Sequence, residues 1–465
     1  MSKIKKKTKN DTGRSYDWSI LIVPAGFLIL ILIGAILLML PFATATGNET
    51  SPLTALFTST TSVCVTGSVV VDTVTHWSLF GKIIILLLIQ LGGLGIIAAV
   101  MFLVSIANYN FSLGNMIMLK DSFMLESTKG VLIFFRRIFT GTLIVEMLGA
   151  LLYMPAFCPQ FGVVRGIWYS FFTSVSAFCN AGIFIVDPDS LEKYNSSPLV
   201  LIVTISLIVL GGIGYIVWID LLDAVGRIKN KTHRFRYSLR MISVHTRLAV
   251  KLTFFLIFGG ALVIFILEYS NPGTIGNMSL GHKTLNSIFQ SVTLRTAGFS
   301  TFPQENLTET SCLLGDIFMF IGGSPLGTAG GVKTVTFFIL IKNVGAFLKN
   351  QNEIVIMKRR IPTSLIRKAT AIISVQLFVV LTITALLMAF TGTNLSDALY
   401  ETMSAASTVG LSRGLTPDLN TAGQILIIIA MFLGRIGPIT MLLFFNQGKD
   451  TKNGVHYADG NYIVG

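Results

Sequence analysis

Four short stretches of this 465-residue chain end a run of small and hydroxyl side chains on a glycine: SVCVTG at Gly67, SAFCNAG at Gly182, VTLRTAG at Gly298 and SAASTVG at Gly410. Glycine permits backbone angles that other residues avoid. A chain leaving a helix through such a turn can therefore aim carbonyl oxygens at one point with no side chain intruding. Rings of carbonyl oxygens can replace the hydration shell of a cation. The chemistry on offer is thus coordination by backbone, not bond making. The glycines stand 115, 116 and 112 residues apart. In three copies an aromatic lies ten residues before the glycine (Phe57, Phe172, Tyr400) and a hydroxyl eight before it (Ser59, Ser174, Thr402). The third copy keeps the pattern one residue short, with Phe289 and Ser291.

A second element follows each glycine: LGGLG (91–95), LGGIG (210–214), IGGSP (321–325) and LGRIG (433–437). Its first glycine trails the upstream one by 25, 29, 24 and 24 residues. Two signals on one period define an internal repeat.

These elements must sit in a membrane. The chain is 52% hydrophobic and 12% charged, with a mean hydropathy of +0.74, against about 25% charged residues in soluble domains. Runs such as 20–40 and 80–104 have the roughly 20 apolar residues that a span needs, and the first is too long for a signal peptide's apolar core. The sequence predicts an all-α polytopic membrane protein with four pseudo-symmetric helix–pore loop–helix repeats around a central pore. Spans fall near 18–40, 80–105, 134–155, 198–222, 248–268, 313–346, 369–391 and 421–445. Four half-helices, near 52–64, 167–179, 284–295 and 395–407, are too short to cross and read as re-entrant pore helices. The corresponding division is a basic N-terminus 1–17, repeats at 18–105, 134–222, 248–346 (second helix broken at 321–332) and 369–446, and a tail 447–465.

The net charge of +13 is a topology signal, not a nucleic-acid footprint. Lys3, Lys5, Lys6, Lys7 and Lys9 crowd the N-terminus, and two further basic clusters occupy 227–247 and 349–368. By the positive-inside rule these face the cytoplasm, with anionic lipid headgroups as secondary partners. Eight spans then place both termini inside. The intervening loops lean acidic, with Asp187, Asp189, Glu192, Glu305, Glu309 and Asp418. The four cysteines show no metal-ligand spacing; buried free thiols are favoured over a Cys158–Cys312 bridge.

Helix dipoles would point the partially negative C-terminal ends of the half-helices at the axis. The third unit differs: IGGSPLGTAGGVKTVTF (321–337) is too rich in Gly and Pro for continuous helix. Unwound backbone at membrane depth is tolerated beside a cavity. Arg435 stands where the other units have Gly93, Gly212 and Gly323, so superimposable repeats would aim its side chain at the axis. Glu146 is read as an interhelical hydrogen-bonding group, Arg295 as outside the ion path, and Arg413 as a candidate for the mouth.

The four helix–loop–helix units, VTGSVVVDT, FCNAG, RTAGFST, STVGLS and GGSPLGTAGGVKT together resemble the TrkH/KtrB potassium-transport family, over nearly the whole chain from about residue 18. The resemblance implies a potassium selectivity filter of Val65–Thr66–Gly67, Asn180–Ala181–Gly182, Thr296–Ala297–Gly298 and Thr408–Val409–Gly410. It implies an intramembrane gate made of Gly322, Gly323, Ser324, Pro325, Gly327, Thr328, Gly330, Gly331 and Lys333, with Arg435 completing the constriction. Pro325-Leu326-Gly327 stands where Pro-Gly-Ser is expected, so the bend could differ. The resemblance further implies uptake across the cell membrane as a homodimer, regulated by a cytoplasmic KtrA-like ring that carries the nucleotide. Potassium would be cargo, sodium a candidate activator, and no cofactor would be bound covalently. A proton-coupled TrkH-type symporter and an inverted-repeat secondary transporter are the alternatives. An intramembrane hydrolase is disfavoured because ionisable residues in the spans are few and scattered.

Overall fold

A computed structural model describes residues 18–47, 49–95, 131–229, 237, 241–351 and 353–437. The expected basic N-terminus, the C-terminal tail and the ends of the spans at 80–105 and 421–445 fall outside these residues. The described chain is helical apart from a two-residue antiparallel ribbon, Val355–Ile356 with Arg359–Arg360.

The elements follow in order as α1 (Trp18–Leu38), α2 (Pro52–Cys64), the single turn α3 (Thr73–His76), α4 (Leu79–Leu94), α5 (Val131–Phe161), α6 (Val163–Phe178), α7 (Pro198–Gly212) and α8 (Tyr215–Lys229). Then come α9 (Val244–Glu268), α10 (Leu280–Thr293), α11 (Glu309–Phe320), α12 (Thr334–Leu348), α13 (Thr363–Thr391), α14 (Leu395–Ala406) and α15 (Thr421–Ile436). Among the described residues three helices are long and apolar enough to cross a bilayer unaided: Ile133–Phe161, Val244–Glu268 and Thr363–Thr391. Large apolar side chains such as Phe254, Phe255, Leu262 and Phe378 face outward from them, as a lipid-facing surface requires.

The short helices α2, α6, α10 and α14 form the inner layer, and their C-terminal halves are buried but for the half-buried Phe171 and Ile288. Their density of hydroxyls has a structural use. Ser59 donates to Ile31 O at 2.6 Å, Ser174 to Glu146 O at 2.6 Å and Ser291 to Ile257 O at 2.9 Å. Each hydroxyl thus caps a carbonyl of the preceding long helix. Gly34, Gly149 and Gly260 lie one turn beyond those carbonyls, and a Cβ on any of them would overlap the serine oxygen. Small residues here let two helices approach closely without a hydrophobic drive. In the fourth unit the tie is made differently: Gln376 on α13 donates to Ala406 O at 2.8 Å.

Packing between neighbours runs in one sense around the inner layer. Helix α4 packs on α6, α7 on α10, α11 on α14, and α15 returns to α2. The chain therefore closes on itself.

The expected straight span at 198–222 is instead two helices, α7 and α8, bent by 100°. The bend occurs at Gly214, whose φ is +96°. A Cβ there would stand 2.5 Å from Pro325 O, and Tyr215 N–H donates to Leu326 O at 2.8 Å. A loop from another unit thus satisfies the Tyr215 N–H at the break.

Candidate ion pathway

Each short helix ends in a residue of left-handed backbone that is not glycine: Val65 at φ 55°, Asn180 at 59°, Thr296 at 68° and Thr408 at 53°. Two residues later comes a glycine, again at positive φ: Gly67 at 103°, Gly182 at 66°, Gly298 at 81° and Gly410 at 91°. Side-chain-bearing residues enter this region at a cost of about 1–2 kcal/mol, so four coincidences mark an imposed geometry. The turns are held from behind. Thr66, Ala181 and Val409 N–H donate five residues back, to Thr61, Ser176 and Ser404 O at 2.8–2.9 Å. In the third turn Ala297 reaches only four back, to Thr293 O at 3.0 Å, which absorbs the one-residue deficit of that copy. Hydroxyls of the same residues complete the turns: Thr61 and Ser404 accept from Gly67 and Gly410 N–H, while Ser176 and Thr293 donate to Ile183 and Phe299 O.

The four turns meet. A Cβ placed on Gly67 would stand 2.7 Å from Ala181 O, and on Gly182 it would stand 2.8 Å from Ala297 O. On Gly298 it would overlap Val409 O, and on Gly410 Thr66 O. Each glycine faces the middle carbonyl of the next turn, and the fourth faces the first. The four glycines and the four middle residues, Thr66, Ala181, Ala297 and Val409, therefore meet around one centre. Beside it the Asn180 amide and the Thr66 and Thr408 hydroxyls are buried without a protein partner. On one side the aperture opens into a cavity of about 710 Å³ lined by all four glycines and by Asp72, Asp189, Glu192 and Glu305. Burial and the neighbouring Asp189, Glu305 and Asp187 carboxylates push the Glu192 carboxyl up to about 7. Lys193 pairs with Asp187 beside it.

Opposite the cavity lies the chain between α11 and α12. It starts and ends on a parallel bridge, Ile321 with Val332, where Gly322 N–H donates to Val332 O at 3.0 Å. Within it, Ser324 and Thr328 N–H donate to Gly212 and Gly211 O at 3.0 and 3.1 Å. Thr328 Oγ1 reaches Phe178 O at 3.2 Å. Gly330 N–H donates to Thr296 Oγ1 at 3.1 Å, so the loop is bonded directly to the third turn. Gly327 and Gly331 pack on backbone of Gly211 and Gly322. Lys333 folds back, its Nζ donating to Ala329 O at 2.6 Å. Leu326 takes φ 58°, so the left-handed bend is made here without the glycine expected at that position.

Arg435 bridges three units. Its Nη1 donates to Thr328 O at 2.7 Å, and its Nη2 to Gly92 O and, at 3.3 Å, to Gly93 O. The guanidinium is solvated by carbonyls, which is how a charge at this depth is accommodated. Arg413 turns away from the mouth to Glu309 and Asp397 at 3.1 and 2.9 Å. Glu146 accepts from Gln90 Nε2 at 3.1 Å and from the Cys179 thiol. Arg295 is buried at the end of α10. All four cysteines are free thiols, Cys158 and Cys312 included, and Cys158 alone is not fully buried. Sequence reasoning missed Gly34, Gly149, Gly260 and Gln376; the periodic serines were the signal that could have led to the three glycines.

The fold is that of a family of cation transport proteins. The chain matches the TrkH family, described as cation transport protein, over residues 2–453. It belongs to that family, one of transporters and not of enzymes, and is an all-α polytopic membrane protein. It is 38% identical to the Ktr system potassium uptake protein B of Bacillus subtilis over 445 residues, 96% of each chain. It is 34% identical to the potassium/sodium uptake protein NtpJ of Enterococcus hirae over 427 residues, 90% of this chain and 91% of the other. The crystal structure of the potassium transporter TrkH from Vibrio parahaemolyticus shares the fold, with TM-score 0.74 and 18% identity, covering 95% of this chain and 87% of that one.

Proposed function

We propose that this protein takes up potassium across the cell membrane through the aperture enclosed by its four filter turns. The observation that carries the reading is the cyclic contact of each glycine with the middle carbonyl of the next turn. Such a ring offers oxygens to a dehydrated monovalent cation, and a side chain on any of the glycines would obstruct it. Potassium is the cargo favoured by the names of the relatives, and the relative that also names sodium makes sodium a candidate activator. The acidic cavity raises the local cation concentration before entry.

The loop 321–333 acts as the gate in this reading. Fixed to the third turn by Gly330 and to Arg435 by Thr328, it lies across the inner end of the aperture, and Arg435 and Lys333 add positive charge there. A cytoplasmic nucleotide-binding ring displaces the loop when activated; the name of a relative, protein B of a Ktr system, supports a partner subunit. The transporter works as a homodimer in lipid, with both termini cytoplasmic.

The test is potassium uptake in potassium-starved cells lacking their own uptake systems, with and without sodium and with the proton gradient collapsed. The reading expects uptake that survives loss of the proton gradient at matched membrane potential. Uptake that stops with the gradient assigns the protein to proton-coupled symport instead.

A further inference from the structure

We propose that Glu401 is a positioning residue for the fourth filter turn: its carboxylate fixes the chain leaving Gly410 and so sharpens the distinction between potassium and sodium. This rests on the filter reading above. Glu401 lies on α14 and is 1% exposed. It accepts from Ser412 Oγ at 2.7 Å with one oxygen and from Thr416 Oγ1 with the other. Ser412 Oγ accepts in turn from Thr416 N–H at 3.2 Å. Ser412 stands two residues past Gly410, and both line the mouth cavity. The carboxylate thus holds the outer end of the turn while Ser404 holds Gly410 N–H at 3.0 Å.

The opposite flank is held too. Arg413 donates to Ser396 Oγ at 2.9 Å and pairs with Asp397, one turn before Glu401 on the same helix. Hydrogen bonds to a carboxylate are shorter and stronger than neutral ones. The segment 411–416 is therefore gripped from both sides by one helix.

The equivalent positions, each following the aromatic of its copy, are Thr58, Thr173, Gln290 and Glu401. The Thr173 hydroxyl has no partner. Gln290 reaches past its filter to Gln304 at 2.6 Å, and Gln304 also accepts from Tyr400 Oη at 3.1 Å. Long polar braces thus stand behind the third and fourth turns, where the first two carry threonine. Selectivity in a ring of carbonyls depends on their number and on how far they can follow a smaller ion. A braced turn resists closing on sodium.

The experiment measures potassium and sodium flux into proteoliposomes containing the full chain, for Glu401→Gln, Glu401→Ala, Ser412→Ala with Thr416→Val, and Gly410→Ser as filter control. The expected result is a potassium-to-sodium flux ratio lowered at least fivefold in Glu401→Ala, with potassium flux kept within twofold. Glu401→Gln, which retains one acceptor, falls between. The Ser412/Thr416 pair reproduces the alanine effect, and combining it with Glu401→Ala adds nothing. If Glu401→Ala does not insert, the Ser412/Thr416 pair decides by the same ratio. An unchanged ratio with both fluxes reduced in proportion, or a shift the Ser412/Thr416 pair fails to reproduce, overturns the proposal. If Gly410→Ser also leaves the ratio unchanged, the filter reading fails first; if it alone shifts the ratio, only the role of Glu401 is lost.

Discussion

Two sets of four glycines surround the axis, and they are not built alike. In the upper set each glycine faces a carbonyl of the next unit, all the way around. In the lower set Gly92, Gly211 and Gly434 would each overlap, if given a Cβ, the carbonyl of Val63, Phe178 or Ala406 at the end of their own short helix. Gly322 breaks the pattern. It faces Gly330 O, within its own loop. The third unit has exchanged a helix-on-helix contact for loop-on-loop contact, and the loop so formed reaches Thr296 and Arg435. The upper ring can be nearly symmetric because all four units have the same task. The lower ring is not, because the third unit lacks the packing that fixes its siblings and carries the loop of the proposed gate.

The largest effect is expected in the upper ring. Gly410→Ala puts a Cβ into Thr66 O and forces a left-handed alanine. A left-handed side-chain-bearing residue alone costs about 1–2 kcal/mol, and about 1.4 kcal/mol is tenfold in an equilibrium. Potassium-to-sodium discrimination in an uptake assay should fall at least that far. Equal discrimination in correctly inserted protein would show that the ring does not select.

Next comes Arg435→Ala, which removes the guanidinium bonds to Thr328, Gly92 and Gly93. Hydrogen bonds to charged groups contribute roughly 1.5–3 kcal/mol, so freeing the loop should raise potassium flux about tenfold. Arg435→Lys should be intermediate, because an ammonium lacks the planar fork. Deletion within 324–331 should raise flux as well and relieve dependence on the cytoplasmic partner, and it should add little to Arg435→Ala. Slower transport at normal expression would mean that Arg435 braces the fold.

Thr296→Val joins the two rings in one test. It deletes the acceptor of Gly330 N–H, a neutral bond of about 1 kcal/mol net. The expected rise in basal flux is smaller than for Arg435→Ala. A concurrent change in discrimination would show that loop and filter move together, and a pure rate change that they are independent.

The smallest effect concerns the mouth. Glu192 titrates near 7, so lowering the pH from 8 to 6 neutralises one of four carboxylates lining the cavity. Apparent potassium affinity should weaken severalfold over that range at low ionic strength, and Glu192→Gln should remove the pH dependence while fixing the weaker value. Affinity that improves on acidification would exclude an attractive mouth.

What could be read from sequence is what repeats. The four turn glycines, the four short helices and the Gly/Pro-rich break at 321–332 all carry local signals, and the glycines lie in contact around one centre. The bend at Gly214 was illegible because LGGIG reads like LGGLG and LGRIG; its contacts, Pro325 O and Leu326 O, lie more than a hundred residues away in sequence. Arg413 was a candidate for the mouth by its place after the fourth turn, and its side chain pairs with Glu309 and Asp397. The Glu401 network escaped because its partners sit in an aperiodic loop. Local pattern reports what a segment prefers, and these residues are placed by what meets them in space.

The first residues of the four turns are Val65, Asn180, Thr296 and Thr408, all carried by one polypeptide. In a pore of four identical chains, a single codon change alters every quarter at once. Here it alters one. Each quarter of the aperture can be tuned by itself, and a replacement at Val65 perturbs the ring by a fourth of what the same change does in a homotetramer. Mutational steps around this pore are correspondingly small, which leaves an asymmetric aperture open to gradual adjustment.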